Sequence, residues 1–497
     1  MEMETSRETS PILSPSNASL NGTGPHSLSL NHTEPAKNGD EKYEELDEPN
    51  DSQSGNGLNV WQAVLFITGL LVDYSLLAVE ALVVNTGWIG LFLATVLCSV
   101  IVFTAILIGR CWNIVRGRWQ NERHPYGAIG YEAFGSWART AINVIVDICC
   151  FAVTTGVLMV TAENLFVLGG QALHGKYCLL PVVIAVVACP FMWLGTPRDL
   201  WQLGVWGALT GTLVYLLLFI GAIVDDEDTE ADTDYSNVTN VTVGTPSNVG
   251  HVRGTLLHST VLVHLAEICG IVQVALGIHY IAPGLQRDMK RPEKFTKTVC
   301  VSFAYTFALA IPVLVVTYVF QRDRLAYVTA DTTVLAVLTP GPLSVVAAAL
   351  FLLRSVMVLV SSNNPLFQSL EERLDIPSEF TWKRVVLRTV VFVMQLLVGE
   401  TIPHFGVIFT LLGGICFPIL VLMAPAMCYL RLRNIHTPEK YKESKAIWIL
   451  ETVVCWLIIV ITPIMAVIIL YVMGAGIFQG KTVLTVPCFI NATLAHE

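Results

Sequence analysis

Eleven apolar stretches, at residues 60–84, 89–108, 141–167, 178–194, 200–224, 256–282, 299–320, 343–361, 385–398, 405–430 and 447–478, divide the chain. Most are long enough to cross a hydrocarbon core of roughly 30 Å as helices. The polar stretches between them are mostly short. Residues 1–58, by contrast, are rich in Ser, Asn, Gly and Glu, a composition that buries too little apolar surface to fold alone. Residues 225–255 form a second long polar segment. The pattern predicts an all-α polytopic membrane protein of about eleven transmembrane helices within residues 59–478, followed by a short tail at 479–497. Five stretches precede the long polar segment, and five of similar extent plus one more follow it. That arrangement fits the inverted-repeat plan of secondary transporters.

Basic residues orient the bundle. With the N-terminus in the cytosol, the cytosolic loops collect Arg110, Arg116, Arg118, Arg123 and Arg139, then Arg287, Lys290, Arg291, Lys294 and Lys297. Arg373, Lys383 and Arg384 follow, and then Arg431, Arg433, Lys440, Lys442 and Lys445. The opposite side holds Lys176, Arg253, Arg322, Arg324 and Lys481. Short loops rich in Lys and Arg stay on the cytosolic side. This orientation puts the 225–255 loop, with glycosylation sequons at Asn237 and Asn240, and the C-terminal tail, with one at Asn491, on the luminal side. Cys178 and Cys488 also fall there and are candidates for a disulfide.

Composition excludes the soluble enzyme that 497 residues would otherwise suggest. Hydrophobic residues make up 54% of the chain, charged residues 14%, and mean hydropathy is +0.61. A soluble fold needs about a quarter of its residues charged. The net charge of −10 arises largely in two soluble segments, 41–51 and 225–234, and gives no footing for nucleic acid. Most of the 12 cysteines lie inside apolar runs with no metal-ligand spacing, so no metal and no cofactor is expected. No phosphate-binding loop, dinucleotide fingerprint or nucleophile elbow is present, which points to ion gradients as the energy source. In the N-terminal tail, Glu8 with Ile12 and Leu13, and Tyr43 with Leu46, fit adaptor-read sorting signals. They favour an acidic vesicle or endolysosome, with the plasma membrane as the alternative.

Three motifs carry a family resemblance. Tyr126-Gly-Ala-Ile-Gly130 through Phe134-Gly135 precedes the third stretch, and Pro283 through Met289, Pro292 and Phe295 follows the sixth. Ile402-Pro403-His404-Phe405-Gly406 leads into Gly413, Gly414, Pro425 and Tyr429. Together these resemble the amino acid/auxin permease family. Thr86-Gly-Trp-Ile-Gly90 and Asn364-Pro365 look most like vesicular inhibitory and vacuolar neutral amino acid transporters. The resemblance implies a five-plus-five repeat with broken first and sixth helices, and proton-coupled movement of small neutral amino acids such as GABA or glycine. Asp73 and Ala78 stand where such permeases carry glycines, and Glu80 where they carry proline.

Ionisable side chains inside a bilayer are expensive and therefore candidates for function. Asp73 and Glu80, two turns apart, are expected to share a helix face. Asp73, with Tyr74 and Ser75 beside it, would bind substrate, and Glu80 would carry a proton; the alternative is an ion pair with Arg354. Arg354 itself would meet a protein carboxylate, Asp147 being another candidate, or the carboxylate of a substrate. His264 and Glu267 are helical neighbours suited either to proton coupling or to a solvated vestibule. His279 lies near the break expected in the sixth stretch, with Gly270 or Gly277 supplying it, and Gly277 and His279 join the substrate-binding set. Two other functions stay open: selection of cationic amines or cationic amino acids by Asp73 and Glu80, and nutrient sensing through the N-terminal tail.

Overall fold

The structure, a computed structural model, describes residues 57–119, 122–169, 176–193, 201–227, 253–320, 341–377, 379–401, 405–436 and 445–478. The sorting signals, the sequons at Asn237, Asn240 and Asn491, Ile402–His404 and Cys488 lie outside these residues. Helices α1 (Val60–Leu71), α2 (Tyr74–Thr86), α3 (Trp88–Val115), α4 (Pro125–Phe134) and α5 (Ser136–Gly169) come first. They are followed by α6 (Leu179–Met192), α7 (Trp201–Glu227), α8 (Arg253–Leu276), α9 (Ala282–Arg287) and α10 (Phe295–Phe320). The last are α11 (Pro342–Arg373), α12 (Trp382–Thr401), α13 (Phe405–Phe417), α14 (Ala424–His436) and α15 (Lys445–Phe478).

Every apolar stretch of the sequence falls on a helix or on a broken pair of helices. Among the described residues, 8 helical spans are long and apolar enough to cross a membrane, while α1 and α6 are apolar but shorter. The bundle therefore supports the polytopic class in coarser form than a count of eleven.

Among the described residues, two helices are interrupted. Between α1 and α2 the chain leaves helical geometry at Val72, and Asp73 is extended at φ −118° and ψ 172°. Asp competes for local backbone hydrogen bonds and favours the first position outside a helix over its interior. The second interruption follows α8, where Gly277 precedes a short 3₁₀ turn at Ile278–Tyr280 and Pro283 starts α9. A proline in a first helical turn sacrifices no internal hydrogen bond. A π-helical stretch at Pro418–Met423 joins α13 to α14, and the Tyr126 hydroxyl of α4 donates to its Leu420 carbonyl at 2.6 Å.

Small residues let the central helices touch. A Cβ on Gly69 of α1 would lie 2.3 Å from the Gly204 carbonyl oxygen of α7, and one on Gly413 of α13 would lie 2.2 Å from that of Gly270 on α8. Such contacts are how helices associate where lipid removes the hydrophobic drive. Gly270 thus serves packing, and Gly277 alone marks the interruption. Helix α15 is peripheral, exposing Trp456, Val460, Ile464 and Val467 as a lipid-facing surface would. Cys178, just before α6, is disulfide-bonded.

Candidate functional site

The two interruptions face each other across a small central cavity. Leu70 and Asp73 border it on one side, and Gly277, Ile278 and Tyr280 on the other. Helix α5 adds Val153 and Val157, α11 adds Val358 and Ser362, and α13 adds Phe409. The walls are mostly branched aliphatic, with Asp73, Ser362 and Tyr280 as the polar side chains among them. Interrupted helices also bring main-chain amides and carbonyls without helical partners to such a space, and these suit the two ends of an amino acid.

Tyr280 and Ile281 also border a second cavity, so they form the wall between the two. The second cavity lies at the end of the bundle where basic residues gather, and Arg123, His124, Arg287 and Asp288 line it. His124 meets Glu372 at 2.8 Å, and Arg139 meets Glu122 at 3.0 Å. Leu58, just ahead of α1, pairs by backbone with Asp288 at 2.8 Å and Lys290 at 2.9 Å. The starts of the first broken helix and the exit of the second are thereby tied together.

Arg354 is fully buried on α11, and its guanidinium reaches into the first interruption. Its Nη1 donates to Asp73 Oδ1 at 2.9 Å, its Nη2 to the Gly69 carbonyl, and its Nε to the Gly207 carbonyl at 3.4 Å. Asp73, although it precedes α2, makes no side-chain cap to that helix because the carboxylate is turned to Arg354. Asp147, the other partner considered for Arg354, instead accepts from Ser369 at 3.0 Å and pairs with Arg373 at the basic end. The two structural charges of the sequence reading thus belong to different clusters.

Glu80 is 3% exposed on α2. The Tyr215 hydroxyl of α7 lies beside it, within electrostatic reach of Asp73 and Arg354 as well. His279 is turned away from the cavity: its Nε2 lies 3.0 Å from the Thr104 hydroxyl of α3, and the cavity is bordered by its neighbours Ile278 and Tyr280. His264 and Glu267 sit partly buried on α8, beyond the cavity lining. The backbones of Tyr74 and Ser75 begin α2, and their side chains lie outside the described residues. Among the described residues no cluster of His, Cys, Asp and Glu is placed to hold a metal ion.

Sequence reasoning missed Tyr215, Tyr280, Ser362, Val157 and Phe409. All but Ser362, which follows the eighth stretch, lie on apolar stretches whose residues carry no polar periodicity to reveal an inward face. A tyrosine inside an apolar run, as at Tyr215, was the only available signal.

Comparison with known proteins gives this geometry a family. Amino acid transporter AVT1B of Arabidopsis thaliana is 25% identical over 79% of this chain and 67% of its own length. AVT1E of the same plant is 24% identical over 75% of this chain, and the match spans 66% of that relative. Among solved structures, MhsT in complex with L-phenylalanine shares the fold at a TM-score of 0.52, covering 83% of this chain and 98% of that one at 12% identity. Residues 56–474, which contain both interruptions and the cavity between them, match the family described as transmembrane amino acid transporter protein, and the chain belongs to that family.

Proposed function

We propose that this chain moves small neutral amino acids across an acidic vesicular or lysosomal membrane, driven by a proton gradient. The observation that carries the reading is the central cavity, whose bordering carboxylate, Asp73, is matched by Arg354 at 2.9 Å. A balanced pair leaves no net charge to select a cation, so the cationic-amine reading loses its main support. A zwitterion places its charged ends on main-chain groups of the interrupted helices and its side chain against Val153, Val157 and Phe409. Small aliphatic side chains suit these walls. Glu80, walled from water beside the Tyr215 hydroxyl, is the proton carrier, because burial makes a carboxylate far cheaper neutral than charged. His264 and Glu267 lie farther along α8, on the path a proton takes to reach the centre.

The basic end faces the cytosol by the positive-inside rule, with the glycosylated loop and C-terminal tail in the lumen and the N-terminal signals open to adaptor proteins. The test is uptake by purified full-length protein in proteoliposomes, with a pH gradient and a membrane potential imposed separately. Alanine, glycine, glutamine and GABA should accumulate and stop when a protonophore collapses the gradient. Silence from all four under every gradient would end the reading.

A further inference from the structure

Asp73 borders the central cavity, while its partner Arg354 lies behind it with no exposed surface. Each nitrogen of the guanidinium is already engaged, by Asp73 and by the carbonyls of Gly69 and Gly207, so Arg354 is held in place and does not itself reach for a ligand. Among the described residues, the other ionisable groups near the pair are Tyr215, Glu80 and the cavity-lining Tyr280. Asp147 is committed to Arg373 and Ser369 elsewhere. The electrostatic character of the cavity therefore turns on whether the Asp73 charge is cancelled. In surroundings of low dielectric, an uncancelled unit charge attracts its opposite and rejects its like far more strongly than in water.

We infer that Arg354 is a specificity-determining residue: by cancelling the Asp73 charge, it restricts the cavity to substrates of zero net charge. The inference rests on the reading of this cavity as the transport site. It makes the substrate's charge class a property of the pair as a unit. Removing the arginine leaves a lone carboxylate at the cavity wall, suited to a cationic amino acid. Removing the carboxylate leaves a lone guanidinium behind the wall, suited to an anionic one. Removing both restores neutrality.

The experiment measures uptake of alanine, lysine and glutamate by full-length wild type, Arg354→Gln, Asp73→Asn and the double variant in proteoliposomes. In Arg354→Gln the lysine-to-alanine ratio should rise about tenfold or more, and in Asp73→Asn the glutamate-to-alanine ratio should rise similarly, because uncompensated charge changes partner choice. In the double variant both ratios should return to within about threefold of wild type, the residual expected for coupled neighbours. Equal loss of all three substrates in both single variants, unrepaired in the double, would mean a structural pair and overturn the inference. Should the single variants not fold, the double still decides. Replacing both members of a buried pair is tolerated far better than removing one, so a folded double variant must keep its preference for alanine. A folded double variant that prefers lysine or glutamate sinks the proposal. Wild type silent on alanine, glycine, glutamine and GABA alike removes the transport reading and this inference with it; wild type active on alanine with unshifted variant ratios removes this inference alone.

Discussion

At the centre of the bundle, Asp73 meets one arginine, Arg354, at 2.9 Å, and the pair borders a cavity. Toward the basic end, Glu371 of α11 meets two, Arg384 at 2.9 Å and Arg388 at 2.7 Å, both from α12. Arg388 also donates to the Met192 carbonyl at 2.8 Å and lies over the Phe367 ring at 5.0 Å. This second cluster is as buried as the first but borders neither cavity. It ties the end of α6 to α11 and α12. Similar side chains at similar depth therefore do different work, and the deciding feature is open space beside them. A buried ion pair packed on all sides locks helices together, whereas one at a cavity wall sets what the cavity accepts.

Removing the counter-charge of the packed cluster should give the largest effect. Glu371→Gln removes the carboxylate charge that the two arginines share and should lower stability by about 3–5 kcal/mol, as expected for a broken buried pair. Thermal unfolding in detergent reads this, and alanine flux per folded molecule should stay unchanged. Flux lost without a change in unfolding temperature would erase the contrast. Next in size is Gly69→Ala, which pushes a methyl into the Gly204 carbonyl beside the Arg354 contact. Overpacking there should remove about 1–3 kcal/mol and should also weaken uptake, since Gly69 holds the guanidinium.

Glu80→Gln sharpens the central half of the comparison. Accumulation against a gradient should fall about tenfold, or about 1.4 kcal/mol of coupling, while alanine exchange across the membrane without a gradient persists. Intact gradient-driven accumulation would move the proton site elsewhere. The smallest effect belongs to Arg373→Ala. Arg373 is 50% exposed where it meets Asp147, and such pairs contribute less than about 1 kcal/mol. Neither the unfolding temperature nor the substrate ratios should change measurably, and a shifted ratio would place Asp147 in the transport site after all.

Much of this architecture was legible beforehand. The apolar runs fall on the helices, and the motif at residues 126–135 forms α4 and its exit glycine. The interruption at Asp73 stands where glycines of the resembling permeases change to Asp, and the interruption at Gly277 was one of the two positions considered. The site was only half legible. Asp73, Glu80 and Arg354 stood out as ionisable residues in apolar surroundings, yet Arg354 had three carboxylates, Asp73, Glu80 and Asp147, to choose among. His279 looked inward by position, and the 3₁₀ turn at Ile278–Tyr280 rotates it onto Thr104 instead. Val157 and Phe409 were indistinguishable from the apolar residues around them.

What the sequence by itself determined are quantities that depend on residues one at a time. The transfer of apolar side chains into lipid sums along the chain, so the helical stretches, the polar tail and the few expensive charges can be read locally. The tertiary structure decided direction: which face of each helix turns inward, which carboxylate receives Arg354, and which glycine packs while another breaks a helix. Direction depends on contacts between residues as far apart as Asp73 and Arg354, or Gly270 and Gly413. Along a helix that is apolar on every side no periodicity marks the inward face, so only close packing against distant neighbours can choose it.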